Sequence, residues 1–252
     1  MNIRSYITNC RFPCVSHHVL IALCSLLGCY FFLGLPFSLP LYAKLLLVCC
    51  LVGVYSFTVN NHFDRFADRF NPVKLARNPV AAGLITPENS MLFNIGLAAA
   101  MFFLWITWFP SAAPFLVLML ANATLYSSTF KNRPILDLLS HGTGLILYVV
   151  FPALILGADL VAITIAAFAV LGLSNMFELE NQIADYRADR AAGLRTTTVR
   201  YGIVFARRLS VASACLLMAG IIVFYLFFPN WYVLLLLPWP ALKAVRAGKT
   251  GL

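Results

Sequence analysis

The sequence predicts an all-α membrane protein, a polytopic bundle of about eight transmembrane helices in two four-helix repeats. Three observations predict it. Of the 252 residues, 62% are hydrophobic and 11% charged, where a soluble domain carries about 25% charged residues. Apolar runs recur along the chain at about 20 residues, the length that crosses the hydrocarbon core. Laid out as spans, those runs place almost every Lys and Arg on one side.

The expected spans are 19–38, 42–62, 91–109, 113–130, 139–157, 159–178, 207–228 and 230–243. Arg4, Arg11, His17 and His18 precede the first, with no small-residue cleavage site, so 19–38 reads as a retained span and not a removable signal. A short turn at Pro36–Tyr42 leads into the second span, which runs into a long polar connection, 63–90. Spans three and four meet at Pro110-Ser111, and Lys131 and Arg133 close the fourth. Spans five and six meet at Ala158-Asp159, and the sixth runs into the second long connection, 179–206. Pro229-Asn230 joins the last two. The basic residues fall in the N-terminal tail, the two long connections, the Lys131–Arg133 turn and the tail with Lys243, Arg246 and Lys249; Lys44 alone lies opposite. That bias places both long connections in the cytoplasm. The whole chain, 1–252, then forms one membrane domain with halves at 19–130 and 139–243.

The net charge of +9 follows from this topology and from anionic headgroups. No soluble basic domain exists to carry nucleic acid. Seven cysteines include no CxxC pair, and those inside spans act as small hydrophobes. Cys10, Cys14, His17 and His18 fit no common zinc spacing.

Only nine residues are acidic, and four of them form two matching pairs. Asp64 and Asp68 are four apart, as are Asp185 and Asp189, so each pair shares a helix face. An interval of 121 residues separates Asp64 from Asp185 and likewise Asp68 from Asp189. No breaker precedes Asn71-Pro72 after the second span, and none precedes Gly193 after the sixth. Both pairs are therefore expected on helical extensions of spans, near the interface. An Asp at mid-bilayer costs about 2.5–3.5 kcal/mol, so these four face a polar cavity or water. Asn60 joins the first stripe; Glu178 and Gln182 continue the second. One such cluster, interspersed with Arg65, Arg69, Arg187 and Arg190, reads as interfacial ion pairs. Two at matching positions point to a divalent-metal site, with Asn60, Asp64, Asp68, Asp185 and Asp189 as ligands and magnesium as the cation such hard oxygens suit.

Asn60-x3-Asp64-x3-Asp68 resembles the first aspartate-rich motif of the UbiA superfamily of intramembrane prenyltransferases, and Asp185-x3-Asp189 resembles the second. The loop from Asn71-Pro72-Val73-Lys74 through Arg77-Asn78-Pro79 to Gly83, the Tyr126-Ser127…Lys131…Arg133 segment, and Gln182-Ile183-Ala184-Asp185 followed by Gly193-Leu194-Arg195-Thr196-Thr197 are similar to the family's further signatures in the same order. The resemblance implies a bundle around a lateral cavity open to the bilayer. It implies Mg2+ ions bridging the acidic motifs and an isoprenyl diphosphate, whose isoprenyl group moves to a lipophilic acceptor, aromatic or lipid. In that setting Asp64, Asp68, Asp185 and Asp189 are the catalytic carboxylates, and Arg77, Lys131, Arg133 and Tyr126 the candidates for binding the diphosphate. Each basic candidate also reads as a topological anchor. Tyr148, Tyr186 and His141 are further polar candidates, His141 as a base.

Two features depart from the family pattern: Asn61 where many members carry Asp, and eight apparent spans where nine are usual. Membrane lipids are expected partners, and no protein partner is read from the sequence. Two alternatives stay open. A terpene cyclase of the same superfamily would dispense with the acceptor, and a non-catalytic transporter or lipid-binding membrane protein would use the intramembrane carboxylates otherwise, as on an ion path.

Overall fold

The computed structural model describes residues 3–242, and these are helical with no strand among them. The elements are α1 (Ile3–Asn9), α2 (Phe12–Leu33), α3 (Leu39–Phe63), α4 (Pro72–Arg77), α5 (Pro87–Trp108), α6 (Ala113–Ser128), α7 (Leu136–Ile155), α8 (Leu160–Ala191), α9 (Thr197–Tyr201) and α10 (Ile203–Phe227). Among the described residues seven helices are long and apolar enough to cross a membrane: α2, α3, α5, α6 with the turn before it, α7, α8 and α10. The expected eighth span corrects to a shorter apolar helical stretch, Tyr232–Leu242, which at 1.5 Å per residue reaches roughly half the hydrocarbon thickness. Lys243, Arg246 and Lys249, expected as a basic tail, lie outside the described residues.

Helix ends follow local chemistry. Pro13, Pro40 and Pro87 stand in first turns, where a missing N–H costs nothing. Thr86 and Asp159 accept backbone N–H groups as N-caps of α5 and α8. Gly34 ends α2 in the left-handed region, at φ 65°.

One buried core joins α2, α3, α5, α6 and α7 around Trp105, Phe151, Leu45 and Leu116, all fully buried. Trp105 stacks on Phe151 at 4.2 Å between centroids and donates its indole N–H to the Ala112 carbonyl at 2.9 Å. α8 and α10 pack on small residues instead. A Cβ at Gly172 would stand 2.6 Å from the Ser213 carbonyl oxygen, and one at Gly220 would stand 2.7 Å from Ala169 Cβ. Lipid tails are as apolar as Leu, so close backbone approach is what favours such a pair. The outward faces carry large exposed apolar groups, Phe103, Leu160 and Leu226 among them, as a lipid-facing belt requires.

The first acidic motif departs from the expected continuous helix. α3 stops at Phe63, and residues Ala67–Phe70 form a separate 3-10 turn. Side chains occupy two of the last carbonyls of α3 at this end. The Asn78 side chain donates to the Asn61 carbonyl at 2.9 Å, and Arg65 donates to that of His62 at 2.6 Å, which satisfies the orphan acceptors of a helix end. The second motif keeps its helix to Ala191 and turns at Gly193, φ 74°.

Candidate active site

The end of α3, the connection through α4, the turn after α6 and the last turns of α8 meet at one end of the bundle. Asp64 and Asp68 are buried there, Asp68 to 2% exposure. The Lys131 ammonium, in the 3-10 turn Phe130–Asn132, is ion-paired with Asp64. Asn78 Nδ2 donates to Asp68 Oδ2 at 2.9 Å, and Arg11 reaches the same oxygen at 3.5 Å. Burial, then the neighbouring Asp64 charge, raises the Asp68 carboxyl above its ordinary range, with Asn78, Lys131 and Arg11 opposing. Burial alone would lower the Lys131 ammonium. The Asp64, Asp68 and Glu178 carboxylates outweigh it and push it up to about 12.

On α8, Asp185 and Asp189 lie one turn apart. Lys74 Nζ sits 2.8 Å from Asp185 Oδ2 and 3.9 Å from Asp189 Oδ1. Asn71 Nδ2 reaches Asp185 Oδ1 at 3.3 Å, while Asn71 Oδ1 accepts the Val73 and Lys74 N–H groups. A single Asn therefore starts α4 and ties it to α8. The motifs face each other: Asp189 lies within electrostatic reach of Asp64 and Lys131 as well as of Lys74 and Asp185.

A buried polar layer fixes this arrangement from behind. Asp137, at the start of α7, is fully buried and accepts from Thr197 N at 2.6 Å, Leu138 N at 2.8 Å and Gln182 Nε2 at 2.9 Å, as well as from the Thr197 hydroxyl. Gln182 Oε1 in turn accepts from both N and Oγ1 of Thr198. Asn132 Oδ1 accepts from Arg195 N at 2.5 Å. A buried carboxylate stays only where its lone pairs are filled, so these bonds lock α9 and the Lys131 turn onto α7 and α8.

The structure thus brings together Asp64, Asp68, Asp185, Asp189 and Lys131, with Asn60 half-buried in the last turn of α3. Arg77 and Arg133 lie exposed at the rim and pair with no carboxylate among the described residues. Tyr126 donates to Glu178 Oε1 at 3.0 Å and lies within electrostatic reach of Asp64. Asn71, Lys74 and Asn78, which the sequence offers only as part of the family-like loop, and Arg11, which it offers only as a tail cation, also hold the aspartates. Asn71-Pro72 is a readable cap-and-start signal that puts Lys74 on the next turn. Asn78-Pro79 signals a local turn, in which Asn78 Oδ1 accepts from Val80 and Ala81 N–H, but nothing local points to the acceptors its Nδ2 finds 10 and 17 residues away.

Two facing pairs of hard oxygen donors fit Mg2+, which takes one or two carboxylates and completes its shell with water and phosphate oxygens. Among the described residues no three His, Cys, Asp or Glu side chains converge into a ready-made cage, and lysines sit on the carboxylates. This donor set suits a cation that arrives with a phosphate, which gives both ammonium groups another anion. The buried, mutually repelling Asp64 and Asp68 are the kind of pair a divalent cation relieves. Beside them lies a mostly apolar hollow of about 190 Å³ between α3, α5 and α6, lined by Tyr55, His62, Phe63, Asn94 and Thr124. A cavity of about 560 Å³ lies at the opposite end, near Phe32, Asp159 and Asn230, away from every acidic motif residue.

The family model described as the UbiA prenyltransferase family matches residues 21–249. The chain belongs to the UbiA prenyltransferase family. Digeranylgeranylglyceryl phosphate synthase of Halobacterium salinarum is 29% identical to it over 205 residues, covering 76% of this chain and 69% of that protein. A UbiA homologue from Archaeoglobus fulgidus bound to DMAPP and Mg2+ superposes with a TM-score of 0.79 at 22% identity, covering 96% of this chain and 85% of that one. The apo structure of a UbiA homologue from Aeropyrum pernix K1 gives a TM-score of 0.74 at 20% identity, covering 100% and 91%. These likenesses show the fold. With seven apolar helices long enough to cross a membrane among the described residues, this UbiA-family enzyme is an integral, multi-pass membrane protein.

Proposed function

We propose that this UbiA-family protein transfers an isoprenyl group from its diphosphate to a lipophilic acceptor within the membrane. The observation that carries the reading is the meeting of four aspartates and two lysines, Lys131 and Lys74, at one end of an apolar bundle. Mg2+, held by Asp64, Asp68, Asp185 and Asp189 with Asn60 at the edge, would neutralise the diphosphate and make it a better leaving group. Lys131 stays charged throughout the physiological pH range and grips the departing anion; Lys74 does so from the other motif. Arg77 and Arg133 act at the rim as long-range attraction for an anionic substrate. Further support comes from the relatives: one is named for synthesis of an isoprenoid glyceryl phosphate, and fold neighbours bind GPP or DMAPP with Mg2+.

A cytoplasmic position for the acidic end is supported by the bias of basic residues toward its connections. The chain acts as one domain, 1–252, whose halves 19–130 and 139–243 each contribute one motif. The test is Mg2+-dependent diphosphate release by purified protein from C10, C15 and C20 allylic diphosphates. Release that requires an added lipid acceptor, and is lost in Asp64→Ala, is the expected result. Release into a hydrocarbon without acceptor would make the protein a cyclase instead, and no binding of any isoprenyl diphosphate would end the reading.

A further inference from the structure

Glu178 is buried in α8, seven residues before Asp185, or about 10 Å deeper into the bundle at 1.5 Å per residue. Its two oxygens are used differently. Oε1 accepts from Tyr126 Oη at 3.0 Å and from Gln182 Nε2 at 3.2 Å. Oε2 faces His141 Nε2 at 3.7 Å, beyond hydrogen-bond reach, and accepts no other donor among the described residues. His141 is itself held through Nδ1 by the Ser174 hydroxyl at 2.7 Å, which leaves Nε2 turned toward the carboxylate. Nearby, Asn175 Oδ1 is buried with no hydrogen-bond partner among the described residues, and Tyr148 Oη lies toward Ser56 of α3. Asn175 lies beside Gly142, and Tyr148 stands two turns along α7 from His141, in ring contact with His18 at 5.1 Å. A buried polar atom left open costs about 1–3 kcal/mol, so Asn175 Oδ1, next to His141 and a half-engaged carboxylate, marks the place of a polar ligand group.

We propose that Glu178, with His141, is the proton acceptor for a hydroxyl-bearing acceptor lipid, whose head group sits among Tyr148, Asn175 and His141. This rests on the prenyl-transfer reading above and deepens it. The acceptor oxygen forms a bond to C1 of the isoprenyl group while the C1–O bond to diphosphate breaks, its electron pair leaving with the diphosphate. The acceptor's O–H proton passes to Glu178 Oε2, and His141 Nε2 is placed to take it onward. Tyr126 and Gln182 hold the carboxylate in position through Oε1. The other titratable groups around the pair are Lys131, Asp64, Asp137, Tyr148 and His18.

The test uses the full chain in lipid nanodiscs with saturating Mg2+ and geranylgeranyl diphosphate. Geranylgeranylglyceryl phosphate serves as the hydroxyl probe, and a para-substituted phenol as the probe for ring-carbon attack. Glu178→Gln keeps the shape and the Tyr126 bond. It is expected to lower kcat with the hydroxyl probe by about 10²–10⁴-fold, leaving the KM for the diphosphate and Mg2+-dependent diphosphate binding unchanged. His141→Gln, a second variant that guards against misfolding of the first, should lower kcat less, with the same unchanged binding. A Glu178→Gln enzyme with wild-type kcat, or one whose loss lies wholly in diphosphate binding, overturns the proposal. So does a wild-type enzyme that prenylates only the phenol ring, or releases diphosphate with no acceptor at all. If wild type binds no isoprenyl diphosphate with Mg2+, it is the prenyl-transfer reading that fails, and the binding measurement separates the two cases.

Discussion

The two acidic motifs match in spacing yet are built in opposite ways. The second is a ruled stripe: α8 runs unbroken to Ala191, and Asp185 and Asp189 take their positions from helical geometry alone. The first is a folded knot. α3 ends between Asn60 and Asp64, and Asp68 is placed by Asn78, Arg11 and a 3-10 turn. Partners differ accordingly. Lys131 is largely buried against Asp64, whereas Lys74 is more exposed and is shared between Asp185 and Asp189. A buried half thus faces a half that is held by a short surface helix, α4. Fixed charges aimed at a leaving group need no reorganisation at the moment of reaction, and the first motif supplies them.

The sharpest way to break this comparison is through the carboxylates. Asp64→Ala should lower Mg2+-dependent diphosphate release by about 10³-fold, the scale of a lost transition-state contact. If Asp185→Ala proves as severe, the halves are chemically equal despite their different construction. Next comes the knot itself. Asn78→Ala removes donors to Asp68 and to the Asn61 carbonyl, and an acceptor for Val80 and Ala81 N–H. It should cost about 2–3 kcal/mol in denaturant unfolding. Asn71→Ala, its counterpart at the second motif, should cost about 1 kcal/mol, the worth of a cap.

The lysines sharpen the contrast further. Lys131→Ala should weaken isoprenyl diphosphate binding by about 10–100-fold, as for a buried charge-assisted contact. Lys74→Ala, at a more exposed pair, should weaken it by no more than about fivefold, both read by titration calorimetry. The smallest effects belong to the rim. Arg77→Ala and Arg133→Ala should each leave stability within about 0.5 kcal/mol and reduce only the salt-sensitive part of substrate capture. A tenfold loss of kcat in either would move that arginine into the site.

The sequence determined the class and the outline by itself. Apolar length fixes that helices cross the membrane, because unpaired backbone groups are not tolerated in lipid. The scarcity of acidic residues made Asp64, Asp68, Asp185 and Asp189 conspicuous before any coordinates. Spacing also placed Lys131 one turn beyond a span. Tertiary structure decided what spacing could not. A helical stripe drawn through Asn60, Asp64 and Asp68 holds only while the backbone carbonyls keep their i→i+4 partners. The Asn60 and Asp64 carbonyls keep theirs, while the Asn61 carbonyl between them is taken by a side chain from residue 78, where the helix ends. Which cation meets which carboxylate was likewise open, since Lys74, Arg77, Lys131 and Arg133 look alike in a chain with basic residues on one side. Burial separates them: two reach carboxylates inside, and two remain at the rim. The layer of Asp137, Gln182 and Thr197 joins residues up to 60 positions apart. Such contacts exist only once the helices have packed, because nothing local in the chain specifies them.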